Sequence, residues 1–208
     1  MHKLRIFLFS FCLITLSSCA EPNISPQATL IEAPEAEMAS SASSSNNAIT
    51  ENGLPVDWKN LTASFYSIKY PATWELDTTG LMETSFVLFA PLKLKKDAFR
   101  ENISLQVQAI DPKKMGMNEY TLLTEQQIID RLAQSIILKS ERSKTGDLEC
   151  HTLIYTCLNY LKPLKYLRKH WVIGGKAYAL SFTCEEPDFV KFEPLVNEIF
   201  NSFELKVK

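Results

Sequence analysis

The chain has 208 residues, of which 46% are hydrophobic and 22% are charged, and its formal net charge is -2 at pH 7. This length and apolar fraction suffice for one globular core. Because a nucleic-acid-binding protein should carry a basic patch, the near-neutral charge argues against nucleic acid as a partner.

The first residues have the pattern of an export signal. Lys3 and Arg5 form a short basic start, and residues 6–16 form an almost wholly apolar run that leads through two serines to Cys19. The apolar run is shorter than the roughly 20 residues that a membrane-spanning helix requires. The pattern predicts a signal peptide over residues 1–18, and its end resembles the lipobox of bacterial lipoproteins.

The lipoprotein resemblance implies that Cys19 is lipidated and becomes the first residue of the mature protein. Two or three acyl chains anchor a protein stably, whereas one chain binds only reversibly. Ala20 stands where an aspartate would resemble an inner-membrane retention signal. The implied location is therefore the bacterial cell envelope, with the outer membrane favoured and the body facing the periplasm or the surface. The alternative is a plain signal peptide in which Cys19 plays no part.

Residues 19–55 differ in composition from the rest of the chain. After Cys19 they contain no Lys, Arg or aromatic residue, and Glu, Pro, Ala, Ser and Asn dominate. Such a stretch buries too little apolar area to offset its ordering entropy, which predicts a disordered linker. The alternative is that residues 24–38 form a partner-binding motif.

Residues 56–208 form the predicted globular body and contain all three tryptophans. Short β-rich runs with polar or proline punctuation predict strands at residues 65–70, 84–90 and 103–110. In residues 125–139 the apolar side chains recur at helical spacing, and Thr124 with Gln127 forms a capping-box pattern. A helix is therefore predicted over residues 125–139.

The last third of the chain alternates between apolar and polar residues. Three runs predict strands at residues 147–159, 165–173 and 176–184, and Gly174-Gly175 is a hairpin signal between the last two. Pro187 and Pro194 each predict a short helical piece, and residues 203–207 predict a final edge strand. The predicted fold class is α+β, with an antiparallel β-sheet flanked by helices.

The start of the body carries a short motif. Residues 65–71 read Phe-Tyr-Ser-Ile-Lys-Tyr-Pro and are followed by Trp74, which resembles the Y-S-I-x-Y-P-x-x-W pattern of the PsbP/Mog1-like superfamily, DcrB-like domains included. The later order of helix, strand, hairpin and terminal helix is also similar. The resemblance implies an α/β/α layered sandwich. Because the family has no common catalytic site, the resemblance implies a scaffold for protein binding and no catalytic residue.

The sequence contains no familiar catalytic motif. Apart from the signal segment it has two histidines, His151 and His170, and no G-x-S-x-G, H-E-x-x-H or phosphate-binding loop. No catalytic residue and no cofactor are predicted, and the protein is expected not to be an enzyme.

Three cysteines follow the lipidation site, an odd number for an oxidising compartment. Cys150 and Cys157 share one predicted strand and point to opposite faces, and Cys184 lies two strands away from Cys157. Both distances exceed the reach of a disulfide. Buried free thiols are therefore expected.

The three late strands bring both histidines to one face of the sheet, here termed the mixed face. The predicted meander places Leu158 opposite Lys165 and Ile173 opposite Lys176. The mixed face then collects side chains suited to an anion or a metal: His151, Tyr155, Arg168, His170 and Ser181. The opposite, more apolar face is expected to bury against the long helix. The alternative is a solvated face with ordinary cross-strand pairs, and a one-residue slip would separate these residues.

Signal, linker and compact body together favour a non-enzymatic, lipid-anchored envelope protein. Its domain is expected to bind another envelope protein and to assist the assembly or maintenance of an envelope complex. The membrane is the second expected partner, through the lipid on Cys19. The alternative function is an envelope lipoprotein that binds a small ligand, anion or metal on the His151/His170 face.

Overall fold

The computed structural model describes residues 57–92, 99–145, 148–159 and 161–206. The predicted signal peptide and linker, residues 1–55, lie outside the described residues. Within these ranges no helix has both the length and the apolar composition needed to cross a membrane. The elements in chain order are β1 (Trp58–Thr62), β2 (Tyr66–Pro71), β3 (Glu75–Asp77), β4 (Thr84–Phe89), β5 (Asn102–Ala109), α1 (Met117–Arg131), β6 (Ile136–Thr145), β7 (Leu148–Asn159), β8 (Lys162–Ile173), β9 (Lys176–Glu185), α2 (Phe189–Asn201) and β10 (Glu204–Leu205).

The described strands form two antiparallel sheets. The larger has seven strands in the order β3-β4-β5-β9-β8-β7-β6, and the smaller has three in the order β1-β2-β10. Strands β6 to β9 form a meander, and β5 lies beside β9. The predicted α+β class with an antiparallel sheet flanked by helices is confirmed.

Most strand predictions are confirmed within a few residues, because each of these strands has clear alternation or a clear turn at its end. The hairpin between β8 and β9 pairs Ile173 with Lys176, as predicted. Gly174 and Gly175 form its turn with φ angles of 58° and 73°. Backbone in this left-handed region is open to glycine at no steric cost, so the glycine pair sets the turn.

The register between β7 and β8 differs from the prediction. Leu158 pairs with Pro163 rather than with Lys165. The prediction placed Pro163 in a loop. Pro163 can pair within the strand, although it lacks an N–H, because alternate residues of an antiparallel strand make no ladder bond to that neighbour. The predicted register is therefore wrong by two residues, a shift that leaves every side chain on its predicted face.

The mid-chain helix begins and ends earlier than the sequence predicts. It spans Met117–Arg131 instead of residues 125–139. Glu119 closes its N-terminus, since its Oε2 accepts the backbone N–H of the N-cap glycine at 3.0 Å. Thr124, the predicted capping residue, lies inside the helix and donates its hydroxyl to the carbonyl of Tyr120 at 2.8 Å.

The residues predicted as the end of that helix form strand β6. Gln134 has a φ of 51°, in the left-handed region, through which a right-handed helix does not continue. Ile136 and Ile137 then pair with Thr156 and Tyr155 of β7. Branched side chains suit a strand, so pairing with a long neighbouring strand outweighs the helical spacing of the isoleucines.

The C-terminal region forms one α-helix where the two prolines predict two pieces. A single 3-10 turn, Glu186–Asp188, leads directly into α2, and Pro194 lies inside α2. Pro194 removes one backbone hydrogen bond, but the helix buries an apolar face through Val196, Ile199 and Phe200. That packing offsets the missing bond.

The apolar face of the large sheet packs against α2 and the small sheet, so the predicted burial against the long helix is wrong. This side holds the main core, whose fully buried members include Ile68, Phe86, Leu88, Ile103, Leu105, Leu180, Phe182, Val196 and Ile199. Burying one such side chain contributes about 1.5–3 kcal/mol. The main core therefore dominates the stability of the fold.

Helix α1 covers the mixed face. Its buried residues are mostly polar or amphipathic, namely Tyr120, Thr121, Thr124, Gln127 and Ile128, and they match a sheet face that is itself polar. Ile128 anchors a smaller core with Leu153, Tyr155, Cys157, Leu164 and Tyr166. The layers are thus α1, the large sheet, and α2 with the small sheet, which agrees with the layered sandwich that the resemblance implies.

Candidate functional site

The two histidines of the mixed face are cross-strand neighbours. His151 on β7 lies directly opposite His170 on β8, and their rings stack with centroids 5.2 Å apart and planes at 30°. The sequence predicts a diagonal placement. The two-residue shift in register converts that diagonal into direct opposition.

The five predicted site residues all lie on the mixed face, and four of them are buried: His151, Tyr155, Arg168 and His170. Ser181 is half-buried and lies opposite Arg168 on the neighbouring strand β9. The β7–β8 half of this face is therefore not solvated, because α1 covers it. On the β9 side the face is only partly covered.

His170 is fully buried and uncharged. Its Nε2 lies 2.9 Å from the Thr121 hydroxyl, and the Tyr120 ring meets it edge-on at 5.1 Å. Burial disfavours the charged imidazolium and, with the positive charges of Arg168 and Arg142, lowers the pKa of His170 to about 2. The ring is neutral at any physiological pH.

His151 belongs to a chain of hydrogen bonds that ends at a carboxylate. Arg142 Nε donates to its Nδ1 at 3.3 Å, which leaves the ring proton on Nε2, 2.9 Å from the Ser140 hydroxyl. The Ser140 hydroxyl donates in turn to Glu125 Oε1 at 2.5 Å. Burial, followed by the charge of Arg142, lowers the pKa of His151, and Glu125 opposes the shift.

These hydrogen bonds run in the wrong direction for a catalytic Ser-His pair. In a catalytic Ser-His pair, the imidazole accepts the serine proton and a carboxylate holds its other nitrogen. Here the imidazole donates towards Ser140, and a guanidinium occupies its other nitrogen. The carboxylate of Glu125 holds the hydroxyl instead. The arrangement ties α1 to β6 and β7, and it does not present the imidazole of His151 as a base to Ser140.

Arg168 is a buried cation without an acidic partner among the described residues. Its side chain donates from Nη2 to the Tyr120 hydroxyl at 3.1 Å, while its Nε has no partner in the described part of the chain. A guanidinium stays charged in any protein environment. Buried charges are normally paired, so Arg168 is the least satisfied charged group on this face.

Two tyrosines extend the buried layer below Arg168. Tyr155 and Tyr166 stack with centroids 4.6 Å apart and planes at 4°. Burial raises the pKa of Tyr155 to about 12 and raises that of Tyr166 as well. Both phenols are therefore protonated and offer neutral hydroxyl groups.

The mixed face suits hydrogen bonding to an anion better than metal coordination. Within the described ranges, no three His, Cys, Asp or Glu side chains converge as a metal site would require. His151 already uses both ring nitrogens, on Ser140 and Arg142. The sequence analysis places the helix eight residues too late and does not predict β6. It therefore misses the hydrogen-bond partners that α1 and β6 contribute to the site: Tyr120, Thr121, Glu125, Ser140 and Arg142.

The cysteines are arranged as predicted. Cys150, Cys157 and Cys184 are buried, and none of them forms a disulfide within the described residues. Cys150 belongs to the main core and Cys157 to the core under α1, so they lie on opposite faces of the sheet. Burial raises the pKa of Cys157 above that of an ordinary thiol.

Comparisons with known proteins rest on structure alone. No protein-family model matches the chain, and no curated protein matches it. The chain is similar to the solved structure of CyanoP, the cyanobacterial PsbP of Synechocystis sp. PCC 6803, with 16% identity and a TM-score of 0.55 over 77% of this chain and 98% of CyanoP.

Two further solved structures share the architecture. LpqN, described as involved in cell envelope biogenesis of Mycobacterium tuberculosis, is 11% identical with a TM-score of 0.53, over 77% of this chain and 99% of LpqN. PA94 of Pseudomonas aeruginosa, described as a protein of unknown function, is 10% identical with a TM-score of 0.53, over 73% of this chain and 99% of PA94. At such low identity the likeness concerns the fold. The chain has a PsbP-like α+β fold.

Proposed function

We propose that this chain is a lipid-anchored, non-enzymatic protein of the bacterial cell envelope, and that it assists an envelope complex by binding another protein. The surface that carries the proposal lies along α1 and the edge strand β6. We call it the α1–β6 seam and define it by three exposed apolar residues: Leu122, Ile129 and Leu138.

The helical side of the seam is an apolar stripe that points away from the core. Leu122 and Ile129 are 66% and 59% exposed, and they share one helical stripe with Asn118 and Glu125. Asn118 accepts a bond from Arg142 of β6, and Glu125 accepts one from Ser140. The stripe therefore runs beside β6, and its two apolar side chains are left open to a partner.

The strand side of the seam is the edge of the large sheet. Among the described strands, β6 pairs only with β7, so no described strand pairs with its outer edge. A register irregularity between Ile137 and Lys139 leaves Leu138 unpaired and exposed. An open strand edge next to an apolar helical stripe is the geometry in which a partner's extended segment adds to a sheet.

The envelope location is supported by the export signal, by the resemblance of its end to a lipobox, and by the shared fold with LpqN, an envelope-biogenesis protein by its description. The non-enzymatic role is supported by the polarity of the hydrogen bonds at His151. Protein binding is supported by the seam, where exposed apolar side chains lie beside the edge strand of the large sheet.

The seam is tested by cross-linking the full-length protein in intact cells and identifying captured proteins by mass spectrometry. The test variant is Leu122→Ser/Ile129→Ser, and the matched control is Val190→Ser, which changes an apolar residue of α2 that is 76% exposed. We expect one protein to be enriched with wild type and with Val190→Ser, and lost with the seam variant. Equal capture by the seam variant, or no enriched protein, would contradict the proposal.

The anchor is tested separately with Cys19→Ala. Metabolic labelling with an acyl chain should mark the wild-type protein and not the Cys19→Ala variant. The same variant should also lose the cross-linked partner, because the anchor concentrates the domain at the membrane. An unlabelled wild-type protein would refute lipidation.

A further inference from the structure

Helix α1 leaves part of the mixed face uncovered. The face continues from β8 across β9 to β5, where Arg168 lies opposite Ser181 and Ser181 lies opposite Ser104. Ser181, Ser104 and the neighbouring Gln106 are only half-buried, whereas the site residues of the β7–β8 half are buried. We call this strip the polar trough and define it by Arg168, Ser181, Ser104 and Gln106.

The polar trough consists of hydrogen-bonding side chains on adjacent strands. Residues opposite each other in a sheet have Cβ atoms about 4.5–5.5 Å apart, so Arg168, Ser181 and Ser104 form a continuous polar row. Ala179, beside Ser181 on the same face of β9, has a small side chain. Such a row fits a compact polar molecule.

The guanidinium of Arg168, at one end of the trough, has an N–H group that makes no hydrogen bond within the described residues. Arg168 is 4% exposed, and its Nε has no partner among the described residues. The neighbouring His170 is neutral, and Arg142, the other arginine of this face, is already paired with Glu149 at 3.3 Å. The positive charge of Arg168 is therefore the one on this face that lacks a counter-charge among the described residues.

Two buried hydrogen-bond acceptors, one on α1 and one on β5, also lack partners among the described residues. Gln127 Oε1 on α1 and Asn102 Oδ1 on β5 are buried and lack hydrogen-bond partners in the described ranges. Asn102 donates its amide to the Arg100 carbonyl at 2.9 Å, which fixes the orientation of its oxygen. A ligand that satisfies both kinds of group carries an oxyanion at one end and hydroxyl or ammonium donors along its length.

We propose that the polar trough binds a small organic oxyanion, a carboxylate or a phosphate ester that also carries hydroxyl groups, and that Arg168 holds the oxyanion. Loss of a charge-assisted hydrogen bond weakens binding by about tenfold to hundredfold. This binding is independent of the protein-docking seam, which lies on the other side of α1.

Thermal unfolding and titration calorimetry of the full-length protein in detergent test the site. The two probes are gluconate, a carboxylate, and glycerol 3-phosphate, a phosphate ester, so the results show which kind of oxyanion binds. Sorbitol is the uncharged control for gluconate, and glycerol is the uncharged control for glycerol 3-phosphate. We expect one oxyanion to raise the Tm saturably, with no shift from its uncharged control. No saturable shift from either oxyanion would overturn the proposal.

Two arginine variants locate the binding. Arg168→Met should bind the active probe at least about tenfold more weakly, whereas Arg142→Met, on the same face, should bind it as wild type does. Unchanged binding by Arg168→Met would overturn the proposal. If Arg168→Met does not fold, the Nε–H resonance of Arg168 in wild-type protein replaces it: the resonance should move on titration with the probe, and an unmoved resonance would overturn the proposal.

Discussion

His151 and His170 face each other across β7 and β8 with ring centroids 5.2 Å apart, and neither imidazole is placed to carry a charge. Arg142 donates to His151, and Arg168 adds a second positive charge nearby. Burial and nearby guanidinium groups lower the pKa of both imidazoles. This makes the mixed face a source of pH-dependent stability.

Acid should destabilise the protein through His170. Its pKa is about 2 in the folded state and about 6.5 in an unfolded chain, so below pH 6.5 the unfolded state binds a proton that the folded state does not. The stabilisation is present above about pH 6.5 and is lost progressively as the pH falls towards the folded pKa, by up to about 1.4 kcal/mol per pH unit. Urea unfolding between about pH 7.5 and pH 5 measures the slope.

The control for this slope is His170→Gln, which keeps a polar side chain and removes the titration. Carboxylates titrate equally in both proteins, so the difference between their slopes isolates His170. Parallel curves for wild type and His170→Gln would show that the imidazole is not held neutral in the folded state.

Two adjacent isoleucines of α1 should differ sharply in their contribution to stability. Ile128 is fully buried under the helix, whereas Ile129 is 59% exposed. Ile128→Ala should lower the free energy of unfolding by about 2–4 kcal/mol because it leaves a cavity beside Leu153 and Tyr155. Ile129→Ala should change it by less than about 0.5 kcal/mol. Equal effects in chemical denaturation would contradict the placement of α1 on the mixed face.

The same helix shows what the sequence could predict and what it could not. Alternation along β7, β8 and β9 and the glycine turn predict which residues share the mixed face, because side-chain direction depends only on the period of the strand. The helix was misplaced because its sheet-facing residues include Thr121, Thr124 and Gln127, while apolar Leu122 and Ile129 point outward. A helix that buries polar groups has no apolar period to reveal its position.

The misplaced helix also explains why the sequence does not predict the hydrogen-bond partners of the site residues. Tyr120 and Thr121 precede the predicted start of the helix, so no pattern linked them to Arg168 and His170. Which helix covers which face is likewise a matter of tertiary packing. The polar complementarity between α1 and the mixed face becomes visible only when both are placed in three dimensions.

The turn glycine Gly174 should tolerate asparagine better than valine. Its φ is 58°, and a Cβ added there would contact nothing within 4 Å, so the cost of substitution is that of the backbone conformation alone. Asparagine adopts the left-handed region with little strain, whereas a branched side chain does not. We expect Gly174→Val to cost about 1–2 kcal/mol and Gly174→Asn clearly less. Thermal unfolding of the two variants side by side gives the comparison.

The three body cysteines should resist modification in the folded protein. Cys150, Cys157 and Cys184 are buried, and the raised pKa of Cys157 keeps its thiol protonated at neutral pH. Alkylation followed by mass spectrometry should label none of them in native protein and all three after unfolding in denaturant. A disulfide between any two of them would be incompatible with their positions on the sheet.

Removal of the Tyr120 hydroxyl should expose the energetic cost of the buried guanidinium. Arg168 donates to that hydroxyl at 3.1 Å, so Tyr120→Phe leaves the cation without this partner and should lower the free energy of unfolding by about 1–3 kcal/mol. Arg168→Met removes the charge itself, and replacing a poorly paired buried charge by an apolar side chain of similar length is often neutral or stabilising. In the double variant, the cost of Tyr120→Phe should therefore largely disappear.

A double-mutant cycle measured by urea unfolding without added oxyanion gives the coupling between the Tyr120 hydroxyl and the Arg168 guanidinium. Additive effects would mean that the hydroxyl and the guanidinium do not depend on each other.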